Sequence, residues 1–288
     1  MEKSHNVKSK KQKIITAIVT FVVSLIALLM MYPLIYIFLG SFKTNHELLL
    51  GGTHLFPKEF VFSNYAEAWK AANFSVYTKN SIFLGLGVMV ISVIVTSMAG
   101  YVFARKEFRF KELLYSAFIA FMFVNVGSVT LRPLFELAVK VHLNKSLWAV
   151  VLITAGTGQA TFMFLCRGYV NSIPKELDEA AKIDGCSFFQ TFYKVIFPLL
   201  KPALATIALL SFRSGWNNYI LPLVFTMSND RLRPLTVGVN MLKNNSDGAA
   251  AWNIMFAGAT IAIIPMIIIY CCFSNYFMKG MTEGAVKG

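Results

Sequence analysis

Six stretches of the chain are long, apolar and almost free of charge: residues 14–38, 81–104, 113–131, 147–166, 203–225 and 252–278. A helix needs roughly 20 apolar residues to cross the hydrocarbon core of a bilayer, and each run is about that long. The pattern predicts an all-α integral membrane protein with six transmembrane helices. One polar interval breaks the rhythm. Residues 172–202, "SIPKELDEAAKIDGCSFFQTFYKVIFPLLKP", hold a short acidic stretch with the periodicity of a soluble helix.

Charge orients the bundle. With the N-terminus inside, the inner segments hold the lysines of residues 1–13, the loop "RKEFRFK" and residues 167–201, and the outer segments carry fewer cations over more residues. The positive-inside rule then places both termini in the cytoplasm of a bacterial-type plasma membrane. Residues 40–80 and 226–251 fall outside, the latter loop-like in "SNDRLRPLTVG" and "KNNSDG". The 172–202 interval falls inside.

Composition agrees. The 288 residues are 56% hydrophobic and 14% charged, with a mean hydropathy of +0.60, whereas an ordinary soluble domain is about a quarter charged. A net charge of +13 in a soluble chain suggests nucleic acid; here it reflects cationic cytoplasmic loops, and no nucleic acid partner is expected. Cys166, Cys186, Cys271 and Cys272 form no C-x-x-C pair, and the four histidines lack ligand spacing, so neither disulfide nor metal site is predicted. The basic 1–13 segment precedes an apolar run too long for a signal-peptide core and reads as a signal anchor.

In the acidic interval, Ser172 and Pro174 read as the cap and first turn of a helix. Leu177, Ala180 and Ala181 form a narrow apolar stripe, with Glu176, Glu179 and Lys182 pointing elsewhere. Gly185 supplies the left-handed residue that ends such a helix and leaves no side chain to block a partner. A second, aromatic helix begins at about Ser187. About 12 residues span only roughly 18 Å, so this helix lies on the cytoplasmic face. A headgroup-binding helix is usually rich in Lys and Arg; the acidic face of Glu176, Asp178, Glu179 and Asp184 favours a protein partner.

The most polar intramembrane stretch is "SFRSGWNNY", residues 211–219. An arginine at membrane depth is costly, so Arg213 is expected to face the protein interior, water or a carboxylate. Trp216 can stack on a ring while Asn217 and Asn218 offer hydrogen bonds; alternatively these residues join helices to one another. Arg132 reads as a snorkelling residue, with Glu136 and Lys140 a solvated helical pair beyond it. No G-x-x-x-x-G-K-[ST] occurs, so ATP is not bound by this chain. Ion-coupled transport would need a carboxylate near the centre of a run, and none is present. A membrane-embedded enzyme would need clustered His, Asp or Glu near one membrane face, and the acidic helix has no accompanying histidine.

The run "EAAKIDGCSFFQTFYKVIFPLLKP" resembles the EAA motif of permeases of ATP-binding-cassette (ABC) importers: Glu179, Ala180, Ala181, Asp184, Gly185, Phe192, Pro198 and Pro202 match, with Cys186 where Ala is commoner. "FPKEFVFSNYAEAW", "SMAGYVFAR", "WNNYILPL" and the tail "KGMTEGAVKG" are similar to the six-span subunit of the sugar-importing branch. The resemblance implies a type I ABC importer permease fold with a cytoplasmic coupling helix. It further implies a second homologous permease, two ATPase subunits carrying ATP and Mg, an extracellular sugar-binding protein, and no cofactor on this chain. Glu179 would meet a basic group of the ATPase, Ala180 and Ala181 would pack in its groove, Asp184 would fix the turn or touch the partner, and Gly185 would permit the turn. The tail, residues 280–288, would reach between the ATPases, and the loop around 227–244 would face the binding protein. A non-sugar solute remains the alternative cargo, and a secondary transporter the alternative class.

Overall fold

The computed structural model describes residues 10–50, 54–124, 127–242 and 251–285. The basic residues 1–9, the "KNNSDG" turn and the last three residues of the tail lie outside them. Among the described residues, four helices are long and apolar enough to cross a membrane, and a bent pair makes a fifth.

Helix α1 (Lys10–Gly40) is apolar and exposed all round until its last turn. There Tyr36 meets Phe256 edge-on, with ring centroids 6.0 Å apart. Two short helices follow, α2 (Asn45–Leu50) and α3 (Ser63–Ala71). Buried Asn64 holds this region together: its amide donates to the Ser41 and Lys43 carbonyls and its oxygen accepts from Asn253.

Helix α4 (Phe74–Arg105) is the centre of the bundle. After it come α5 (Lys111–Ala120), α6 (Leu131–Lys140) and α7 (Leu147–Ser172). Helices α4 and α7 run parallel, because their contacts advance together. Phe83 meets Trp148, Ser92 and Thr96 meet Gln159, and Gly100 backs on Cys166. The intervening segment therefore returns the chain from one end of the bundle to the other. It does so in pieces. The expected continuous helix over 113–131 stops at Ala120, and Gly127, at φ +59°, opens a 3-10 turn before α6. Pro133 favours a helix restart near Leu131, since the first turn is where its missing N–H costs nothing.

Next lies α8 (Glu176–Ile183), then a helical segment Phe188–Leu199 built from α9 (Phe188–Thr191), a π turn (Phe192–Ile196) and α10 (Phe197–Leu199). That segment meets α11 (Lys201–Asn217) at 80°. Helix α11 runs antiparallel to α4 and touches it backbone to backbone: a Cβ on Gly215 would stand 2.7 Å from the Leu84 carbonyl oxygen. The expected fifth run, 203–225, is broken at Asn218, which turns extended before α12 (Ile220–Thr226).

The segment beyond α12 is not simply a loop. Arg231 and Arg233 carbonyls accept from Asn80, and Ser81 caps Leu235, placing α13 (Leu235–Met241) against α4. Leu235, Val239 and Leu242 are buried there with Phe74, Phe212 and Trp216. Leu235, Val239 and Leu242, at i, i+4 and i+7, carry that burial signal, but the flanking turn residues mask it. Helix α14 (Trp252–Ala285) returns antiparallel to α1 and extends past residue 278, where the sixth apolar run ends.

Candidate functional site

The end of the bundle that carries α8 gathers the chemistry. Helix α7 runs through Ser172, whose hydroxyl donates to the Tyr169 carbonyl, so Ser172 closes α7 and does not open α8. Pro174 explains the break: it forces Ile173 into extended backbone, at ψ 130°. Helix α8 begins one residue after Lys175, without a side-chain cap.

One face of α8 is clasped to the bundle. Asp178, 7% exposed, accepts hydrogen bonds from Arg105 Nε and from the Tyr101 hydroxyl, both at 2.9 Å. Arg105 Nη2 also donates to the Ile173 carbonyl at 2.7 Å, so one guanidinium holds the end of α7 and the start of α8. The Tyr101 ring stacks on Phe188, centroids 4.7 Å apart, and leans on Phe192 at 5.3 Å. Ala181 is buried beside Asp178. The clasp is a paired, hydrogen-bonded buried charge, the form in which such charges persist.

The opposite face is free. Glu176, Glu179, Ala180 and Asp184 are exposed, and Ile183 is 87% exposed, a large apolar side chain that nothing among the described residues covers. Gly185 adopts φ +79°, and a Cβ there would meet no atom within 4 Å. Its amide and that of Cys186 bond back to Lys182 and Ala181, completing the turn. Ser187 then caps the next helix in a reciprocal box with Gln190.

Besides Ser172, the sequence prediction for this segment needs two further corrections. Ala181 packs inward against its own chain, so of the two alanines only Ala180 faces outward. Asp178 belongs to the clasp and not to the acidic face. Tyr101, Arg105 and Ile183 escape the sequence reading. The first two lie more than 70 residues from Asp178, and Ile183 is visible only as one more apolar residue at helical spacing.

Nearby, Arg167 stacks on Tyr115 at 3.8 Å and pairs with Glu112 at 2.8 Å, tying α5 to α7. Between α4 and α5, Lys111 donates to Glu107 at 2.8 Å, and this bond, with the ammonium charge, holds the Glu107 carboxyl below its usual range.

The intramembrane polar stretch divides. Trp216, 2% exposed, stacks on Phe212 at 5.7 Å within the core. Asn218 donates to Thr154 and its carbonyl accepts from Thr236, joining α7, α11 and α13. Arg213 and Asn217 are exposed on α11, and no hydrogen bond or ion pair reaches Arg213 among the described residues. A cavity of about 490 Å³ opens between α11, α13 and α14, lined in part by Asn217, Tyr219, Thr236 and Asn240. Farther out, Arg132 and Glu136 form an exposed pair, so Glu136 bonds to Arg132 in place of the expected Lys140.

The bundle of membrane-length helices thus carries, at one end, a short helix with one face clasped to the bundle and the other exposed. The chain belongs to the family described as binding-protein-dependent transport system inner membrane component, whose model matches residues 5–283. It is 32% identical over 288 residues to the arabinooligosaccharides transport system permease protein AraQ of Halalkalibacterium halodurans, covering 98% of this chain and 100% of that one. It is also 32% identical over 271 residues to the probable starch degradation products transport system permease protein AmyC of Thermoanaerobacterium thermosulfurigenes, covering 94% and 96%. Among solved structures, a bacterial ABC transporter that imports the acidic polysaccharide alginate superposes with a TM-score of 0.79 at 26% identity, covering 94% of this chain and 99% of that one. The chain is thus a multi-pass permease component, not an enzyme, of an importer that works with an ATPase and a substrate-binding protein.

Proposed function

We propose that this chain is one permease of a heterodimeric ABC importer for an oligosaccharide, with both termini in the cytoplasm and α8 as the coupling helix. The observation that carries this reading is the two-faced α8. One face is clasped by Arg105 and Tyr101, and Glu179, Ala180 and Ile183 are exposed. The glycan-related substrates in the names of AraQ, AmyC and the alginate importer support a sugar cargo.

In this mechanism, closure of the ATPase dimer moves α8 through Glu179. The clasp passes the motion to α4, and the Phe188–Leu199 segment passes it to α11. Asp184 and Gly185 set the turn between the two arms. Arg213 and Asn217 line the path shared with the second permease, and Trp216 and Asn218 hold them in position. The second permease supplies the opposite wall, and ATP and Mg act only on the ATPase subunits.

The test is ATP-dependent uptake of labelled oligosaccharides into vesicles holding this chain, the second permease, the ATPase and the binding protein. Glu179→Ala and Gly185→Asp are expected to abolish uptake while membrane insertion persists. Unchanged uptake and ATPase co-purification in both variants would overturn the reading.

A further inference from the structure

Behind α8 is a cavity of about 310 Å³, bounded by the last turn of α4, by Phe188 and by one stripe of α8 at positions 175, 178, 179 and 182. Four cations and two carboxylates line it: Arg105, Lys106, Lys175 and Lys182 against Asp178 and Glu179. The clasp consumes Arg105 and Asp178 as a pair. Lys106 rests its ammonium over the Phe188 ring at 4.5 Å, and Glu107 feels the charge of Lys175 while bonded to Lys111. No carboxylate lies within ion-pair distance of Lys106, Lys175 or Lys182 among the described residues. The cavity therefore carries three ammonium groups against the single carboxylate of Glu179.

That excess is harmless in water and costly under a partner. A cation taken out of water without a counter-charge loses its hydration and gains nothing in return, whereas complementary charges across an interface raise both specificity and encounter rate. We infer that this cavity receives a carboxylate side chain of the ATPase subunit, held by Lys106, Lys175 and Lys182. The inference rests on α8 being the ATPase-docking helix. It makes the contact two-signed: Glu179 and the exposed edge meet a basic surface, and the lysines immediately behind them meet an acidic side chain. Two opposite charges side by side fix the register of docking, which one charge cannot do.

A zero-length carbodiimide, which joins an amine to a carboxylate only when the two already touch, tests this on the purified permease–ATPase complex, read by peptide mass spectrometry. A cross-link from Lys106, Lys175 or Lys182 to an Asp or Glu of the ATPase is expected. The triple variant Lys106→Gln, Lys175→Gln, Lys182→Gln should lose the cross-link, weaken ATPase binding roughly tenfold or more and flatten its salt dependence. If the complex assembles and Glu179→Ala still abolishes uptake, but no cross-link forms and the triple variant binds as the parent does, this inference fails and the functional reading stands. Recovery of an anionic lipid held by these lysines in the assembled complex would also overturn it. A chain that binds no ATPase at all overturns both.

Discussion

Replacing Asp178 with Asn tests whether the clasp, and not the exposed acidic face, determines where α8 sits. The Arg105 side chain is 6% exposed and that of Asp178 is 10% exposed. The variant would leave a buried guanidinium with the Ile173 carbonyl and a neutral amide in place of a carboxylate. Removing one partner of a buried pair costs about 3 kcal/mol or more, which corresponds to a roughly 150-fold shift in the docking equilibrium of α8. The loss is local, because the transmembrane contacts of α4 and α7 do not involve Asp178. Amide hydrogen exchange of residues 176–183 should accelerate by about that factor, while exchange in α4 and α7 is unchanged. Tyr101 would retain its stacking on Phe188 but lose a charged acceptor, so Phe188–Leu199 should loosen less than α8. The double variant Arg105→Met, Asp178→Leu removes both charges and should recover most of the protection, as apolar replacements of buried pairs often do. Wild-type exchange of α8 in Asp178→Asn would refute the argument, and so would a double variant no better than the single one.

Three further outcomes follow from the same coordinates. Gly215→Ala would drive a methyl within 2.7 Å of the Leu84 oxygen and 3.0 Å of the Gly85 Cα; both are backbone, so α4 and α11 must separate, and the thermal midpoint of the complex should fall by an amount equivalent to about 1–3 kcal/mol. Ile183→Ser should weaken ATPase binding about 30-fold, matching about 2 kcal/mol for burying a side chain of that size, with no change in the stability of the free permease. The Glu107 carboxyl is held below its ordinary range chiefly by the Lys111 hydrogen bond. A lowered carboxylate stabilises fully above the ordinary range and loses that contribution as pH falls through the lowered value. Protection of the 106–111 turn, corrected for intrinsic exchange, should therefore decline in acid, and in Lys111→Gln that decline should vanish.

What was readable from the chain follows the range of the interactions involved. The long apolar runs identified α1, α4, α7 and α14 because spanning a bilayer imposes a length that few other structures demand. Gly185 was legible because a positive φ at a helix end has one usual occupant. Asp178 was not legible. Its neighbours Glu176 and Glu179 are acidic too, and only the fold brings Arg105 and Tyr101, across more than 70 positions, to select one carboxylate from the group. The third apolar run shows the opposite failure. Its composition satisfies the length rule, yet the local conformation at Gly127 and the restart favoured by Pro133 divide it. Helix α13 was hidden for a related reason: turn residues on both sides are local evidence for a loop, and the burial of Leu235 and Val239 depends on α4.

The right-angled joint at Leu200 has a mechanical meaning. Backbone hydrogen bonds continue through it, from Leu200 to Ile196 and from Leu204 to Leu200, and Leu200 is wholly buried. The two arms are the 12-residue Phe188–Leu199 segment and the 17-residue α11, roughly 18 Å and 25 Å long. Together they make a bell crank. A 2 Å displacement of the free end of the short arm, at right angles to that arm, swings the far end of the long arm by about 3 Å, and that far end carries Asn217. A push on the Phe188 end thus arrives, turned through 80° and slightly enlarged, at the Asn217 end.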